Sequence, residues 1–106
     1  DMKDFKLIKN SHLAALDYSK LDFPLILRPW QEGDFFVPIG MKGKKKISDY
    51  MIDEKFSTFQ KENTWVICSL ETIVCIVGHR INDEFKLVPE TEKVYLVEPL
   101  MNEREK

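Results

Sequence analysis

The chain has 106 residues, 43% of them hydrophobic and 32% charged, and a formal net charge of −2. That length holds one core and excludes two, and the composition is that of a folded globular domain, not a disordered one. Near-neutral charge excludes a protein that coats nucleic acid over its whole surface but allows a local basic patch. No apolar run approaches the roughly 20 residues of a membrane helix, and the opening DMKDFKLIKN lacks the apolar core of a signal peptide. An opening at Asp1 reads as a piece cut from a longer, cytoplasmic protein.

In chain order, FKLIK alternates as an edge strand. HLAALDYSKL reads as a strand running into a turn, or as a short helix. PLILRPW is an apolar strand between Pro24 and Pro29. EGDFFVPIG is a turn and a short extended run, where Pro38 bars a central strand position. The aromatics Trp30, Phe35 and Phe36 are expected in the core. KISDYMIDEK has helical spacing, with Ile47, Tyr50 and Met51 on one face, Ser48 as N-cap and Ile47 stapled against Ile52. STFQKEN is a second short helix, with Ser57 and Gln60 placed as a capping box. TWVICS and TIVCIVG form a hairpin about a two-residue turn, Leu70–Glu71, which sets Cys68 opposite Ile73 and Cys75 opposite Val66. The thiols are then diagonal neighbours, too far apart for a disulfide, and are expected to be free and buried. EFKLV and KVYLVEP complete a β-rich set, and the tail MNEREK is expected to fray. The expected fold is α+β: layered, mostly antiparallel sheets with two short helices, in a single domain spanning residues 1–106.

A self-contained active site is not expected. Nucleophilic chemistry would have to draw on Cys68, Cys75, Ser48 or Ser57, with His12 or His79 as base, and both cysteines sit inside apolar strands. Asp34, Asp49, Asp53 and Glu54 have simpler roles in a turn, a helix start or a solvated face. No CxxC or HxxxH pair suggests a metal, and the glycine spacing in GMKGKKK is not that of a nucleotide-binding loop.

The unusual stretch is RPWQEGDFFVPIGMKGKKKISDYMIDEK, which sets Gly40 and Gly43 beside Lys42, Lys44, Lys45 and Lys46 just before a helix. Glycines permit a tight bend, a helix start exposes unpaired N–H groups, and lysines add charge; together they suit phosphate oxygens. Cations at a helix start oppose its dipole, a local conflict of the kind that marks functional sites. The alternative is a solvated loop. Arg28 and Arg80 each follow an apolar strand, and either points to the same rim or forms a surface ion pair.

This stretch resembles the C-terminal domain of bacterial tRNA(Ile)-lysidine synthetase. The family pattern falls on Arg28, Trp30, Gly33, Asp34, Phe36, Pro38, Gly40, Met41, Gly43, Lys45, Lys46, Ser48, Asp49, Asp53 and Lys55, and continues on Gly78, Arg80 and Ile81. The likeness covers about residues 5 to 97. Phe35 stands where the family often has Arg, and Cys75 where it often has an aromatic. The resemblance implies a fold similar to a domain of the phenylalanyl-tRNA synthetase β subunit. It implies a parent ligase that uses ATP to adenylate the wobble cytidine of an isoleucine tRNA and then attaches lysine. The Ser-Gly-Gly-x-Asp-Ser ATP loop of that parent's catalytic domain is absent from these residues. The chain is thus expected to be an accessory tRNA-binding domain with no catalytic residue, metal or cofactor of its own. Its partners would be tRNA, on the acceptor-stem side, and the catalytic domain of the same polypeptide. Arg28, Lys42, Lys44, Lys45, Lys46 and Arg80 would contact the RNA backbone, and Gly40 and Gly43 would form the bend. The alternative is a protein-interaction domain, a homodimer for instance, without RNA contact.

Overall fold

The computed structural model describes residues 13–99. The expected FKLIK strand, His12 and the MNEREK tail lie outside the described residues. Seven short strands and two short helices follow one another: β1 (Ala14–Asp17), β2 (Leu25–Pro29), β3 (Phe35–Phe36), β4 (Lys45–Lys46), α1 (Ile47–Asp53), α2 (Thr58–Glu62), β5 (Trp65–Ser69), β6 (Thr72–Ile76) and β7 (Val94–Val97). HLAALDYSKL resolves as a strand followed by a 3₁₀ turn, Tyr18–Lys20.

All pairing of these strands is antiparallel. The central sheet has the order β2-β5-β6, flanked by two ribbons, β1-β7 and β3-β4. Its two faces carry separate apolar clusters. Val66, Cys68, Ile73 and Ile76 meet Phe36 and the α1 residues Ile47, Tyr50 and Met51 on one face. Val74 and Cys75 meet Leu16, Leu21 and Phe85 on the other, with Ile67, Tyr95 and Val97 packed against them. The sheet is thus the middle layer of three.

The hairpin turn falls at Leu70–Glu71 as expected, with Ser69 opposite Thr72 and Cys68 opposite Ile73. Cys75, however, pairs with Ile67, not Val66. The register slips between Ile67 and Cys68, which leaves Val74 without a partner in the ladder. An extra residue of this kind turns two successive side chains to one face, so Val74 and Cys75 share a cluster while Ile73 and Ile76 share the other. Buried Asn82 secures the irregularity: its main-chain N–H donates to the Val74 carbonyl at 2.8 Å and its side-chain amide to the Ile73 carbonyl at 2.8 Å. Both cysteines are free and buried, and burial pushes the Cys75 thiol up to about 12.

Three further expectations fail. α1 is capped by Lys46 in extended conformation, with no side-chain cap bond, because Ser48 is already helical. Ile47 is fully buried and Ile52 is exposed, so the two do not staple. EFKLV is not a strand: Asp83–Phe85 forms a 3₁₀ turn started by the Asn82 side chain, which accepts from the Glu84 N–H. The capping box of α2 is present, with Ser57 Oγ accepting from the Gln60 N–H and Gln60 Oε1 accepting from the Ser57 N–H.

Candidate functional site

The bend from Pro38 to Lys46 is built by inward hydrogen bonds. Gly40 adopts a φ of +85°, whereas Gly43 has no positive φ. The Gly40 N–H donates to Asp83 Oδ1 at 3.0 Å, and the Met41 N–H to the Pro38 carbonyl at 2.9 Å. The Gly40 N–H holds the Asp83 carboxyl below its usual value, with help from the Lys86 side chain. The first helical N–H, that of Ile47, donates to the Asp34 carbonyl at 2.9 Å. These donors are therefore spent inside the domain, and α1 is only seven residues long. At these three positions the bend turns its main-chain donors inward, while the Lys42, Lys44 and Lys46 side chains stay at the surface.

The four lysines divide. Lys45 and Lys46 lie on β4, paired with Phe36 and Phe35. Successive strand residues face opposite ways, so Lys45 turns to α1 and pairs with Asp53, while Lys46 is exposed. Lys42 and Lys44 are also exposed. Among the described residues, Lys42, Lys44 and Lys46 make no ion pair. A groove of about 490 Å³ runs here, lined by Met41, Gly43, Lys44, Lys45, Lys46, Asp49, Ile52 and Asp53.

Arg28 belongs to the framework. Its two terminal nitrogens reach the two carboxylate oxygens of Asp34 at 2.9 and 3.0 Å, a two-pronged pair of the stronger kind. Burial works to raise the Asp34 carboxyl, but the Arg28 bonds and the Gln31 N–H together hold it below its ordinary value. Asp34 thereby ties β2, the turn after it and the start of α1. Arg80 lies over the Tyr50 ring, 5.7 Å from its centroid, and lines a separate cavity of about 370 Å³ with Ile39 and Lys86. Of the six expected contact residues, Lys44, Lys45 and Lys46 line the groove, Arg28 lines a second cavity of about 360 Å³ together with Lys44 and Phe35, Lys42 is exposed between Met41 and Gly43, and Arg80 lines the third cavity.

The expected aromatics also part company. Phe36 is buried, and Trp30 is half-buried with its ring N–H donating to the Lys61 carbonyl at 2.7 Å. Phe35 is 49% exposed, against expectation, because its neighbour Phe36 takes the inward side of the strand. The Lys44 ammonium lies 4.6 Å from the Phe35 ring centroid. Sequence reasoning missed Asp83 and Asp53 as the partners of the bend; no local spacing signals them, since they lie 43 and 8 positions from Gly40 and Lys45.

The family model described as the TilS substrate C-terminal domain matches residues 25–98. The chain belongs to this family. A tRNA(Ile)-lysidine synthase of Parabacteroides distasonis is 53% identical over 94 residues, which are 89% of this chain and 22% of that protein. The protein of the same name in Bacteroides thetaiotaomicron is 43% identical over 93 residues, 88% of this chain and 22% of that protein. The TilS domain described here thus spans about a fifth of the length of these relatives. Among solved structures, a TilS C-terminal domain superposes with a TM-score of 0.69 at 19% identity, covering 83% of this chain and 68% of the other. An N-terminal fragment of the phenylalanyl-tRNA synthetase β subunit from Pyrococcus horikoshii gives 0.68 at 12% identity, covering 79% and 26%. At these identities the structural likeness is one of fold, and it agrees with the layered α+β architecture. Among the described residues no helix is long and apolar enough to cross a membrane.

Proposed function

We propose that this TilS domain holds tRNA for a larger cytoplasmic tRNA(Ile)-lysidine synthase, whose catalytic domain, acting on ATP and lysine, lies elsewhere in the same polypeptide. The observation that carries this reading is the exposed set Lys42, Lys44 and Lys46, without carboxylate partners among the described residues, beside a groove on a chain of net charge −2. A phosphate backbone would meet there positive charge that no described carboxylate neutralises. Lysines of this kind grip phosphates of many positions and convey little sequence information. Duplex RNA is engaged in this way, through shape, phosphates and 2′-hydroxyls. Lys45 and Arg28 each pair with a carboxylate, Asp53 and Asp34, and would be secondary contacts beside these lysines. Arg80, on its separate cavity, would be a peripheral contact.

The test is tRNA binding as salt rises from about 50 to 200 mM, for the parent chain and for Lys42, Lys44 and Lys46 all changed to alanine. Each lost phosphate contact should lower the log–log salt slope by about 0.7–0.9, the values for DNA. Unchanged melting temperature with a flatter slope is the expected result. Equal affinity of the two proteins for tRNA at both ends of the salt range would remove the lysines from the interface.

A second reading, a pairing domain without RNA contact, rests on β2. This strand, an edge among the described residues, exposes Ile26 by 53% and Leu27 by 59%. Apolar pairing through it would persist or strengthen with salt, so the same titration separates the two.

A further inference from the structure

Phe35 stands apart from the other aromatic side chains near the bend. Phe36 is buried in the core and Trp30 packs against it. Phe35, on the same two-residue strand, is half-exposed, and no ring contact with another aromatic holds it among the described residues. Its strand partner is Lys46, and the ammonium of Lys44 rests on its face at 4.6 Å. Around the same lysines, Met41 and Ile52 are 47% and 62% exposed. Strand alternation explains why Phe35 points outward, but not why an outward position among lysines is aromatic. Phosphate contacts alone require no apolar surface. Basic side chains interleaved with an exposed ring are what a single-stranded segment requires, since every base offers a π-face and every linkage a phosphate.

We infer that Phe35 stacks an unpaired nucleotide of the bound RNA, with Lys44 moving from the ring face to the adjoining phosphate. This rests on the RNA-binding reading and adds to it a specific element, a preference for a stem that ends in unpaired residues. Lys44 is suited to the exchange. It is exposed, carries no carboxylate partner among the described residues, and a cation over an exposed ring is held only weakly. In the free chain the ammonium covers the ring; in the complex the base takes its place and the lysine keeps an anion.

The experiment compares the 106-residue chain with its F35A, F35W and K44A variants. The probes are two fluorescent RNA hairpins with the same number of phosphates, one blunt and one with a single-stranded 3′ overhang, titrated at low salt. The parent chain should favour the overhang, and F35A should lose that preference by roughly 5- to 100-fold while binding the blunt hairpin unchanged. F35W, which keeps a ring and the fold, should retain the preference. K44A should weaken both RNAs and flatten the salt dependence while the preference for the overhang survives. Equal binding of both hairpins by the parent, or an F35A loss that falls equally on both, overturns the stacking role while the RNA-binding reading stands. Failure of every protein to bind either hairpin at low salt overturns the RNA-binding reading itself, and the stacking role with it.

Discussion

The side-chain amide of Asn82 donates to the main-chain carbonyl of Ile73 at 2.8 Å, across the point where β6 carries an extra residue. The same side chain accepts from the Glu84 N–H at 2.9 Å, and Asn82 is 2% exposed. Asn82→Ala would strip a buried carbonyl and a second main-chain group of their partners. A destabilisation of about 1–3 kcal/mol in urea unfolding is expected. Asn63→Ala, at an exposed residue whose side-chain amide donates to the Phe59 carbonyl, is the control and should stay within about 0.5 kcal/mol. Equal effects of the two changes would deny Asn82 its part in holding the irregular strand.

Gly40 and Gly43 should respond differently to alanine. Neither site would bring a new Cβ within 4 Å of a neighbour, so packing is not at issue. Gly40 has the left-handed φ that a side chain disfavours, and Gly43 does not. Gly40→Ala should cost about 1–2 kcal/mol and Gly43→Ala should be neutral or slightly stabilising. Thermal melts of the two variants read this directly, and a melting point for Gly40→Ala at or above that of the parent would contradict it.

Acid should destabilise the fold through three carboxylates. Asp17, chiefly through the Ser19 hydroxyl, and Asp83, chiefly through the Gly40 N–H, are held below the ordinary value. Asp34 is too, despite burial, through Arg28 and Gln31. A carboxyl whose folded value lies below its unfolded one stabilises fully above the unfolded value, about 4. That contribution is lost as pH falls through the folded value. The urea midpoint should therefore hold steady from neutrality to about pH 5 and fall below about pH 4. Asp34→Asn should lower the midpoint at neutral pH and make the acid decline shallower. A decline parallel to the parent's would show that Asp34 does not contribute to it.

Cys68 and Cys75 should react slowly in the native chain. Both are buried, and the raised Cys75 thiol is almost wholly protonated at pH 8. A thiol reagent at that pH should label both only when denaturant opens the fold. Prompt native labelling of Cys75 would mean that its layer opens far more readily than its packing indicates.

Local chemistry was legible in the sequence wherever one short segment decides the outcome. The Ser57–Gln60 box, the Leu70–Glu71 turn and the buried face of Ile47, Tyr50 and Met51 are of this kind. Features decided by distant partners were not. EFKLV alternates like a strand, yet Asn82, drawn inward by Ile73 and Val74, turns the chain into a 3₁₀ turn. The shift that faces Cys75 to Ile67 depends on the same residue. At the candidate site, the run of lysines was legible as charge, but its division was not. Asp53 neutralises Lys45 from the far end of α1, and Asp83 claims the Gly40 N–H from a different part of the chain.

The extra residue of β6 has a consequence for how the domain comes apart. Ile73 and Ile76 belong to one apolar cluster and Val74 and Cys75 to the other, so four consecutive residues of one strand are shared by both layers. Neither layer can be peeled off without exposing one side of that strand. Amide protons on the two faces should then be released by the same opening event, so that hydrogen exchange reads one cooperative unit instead of two.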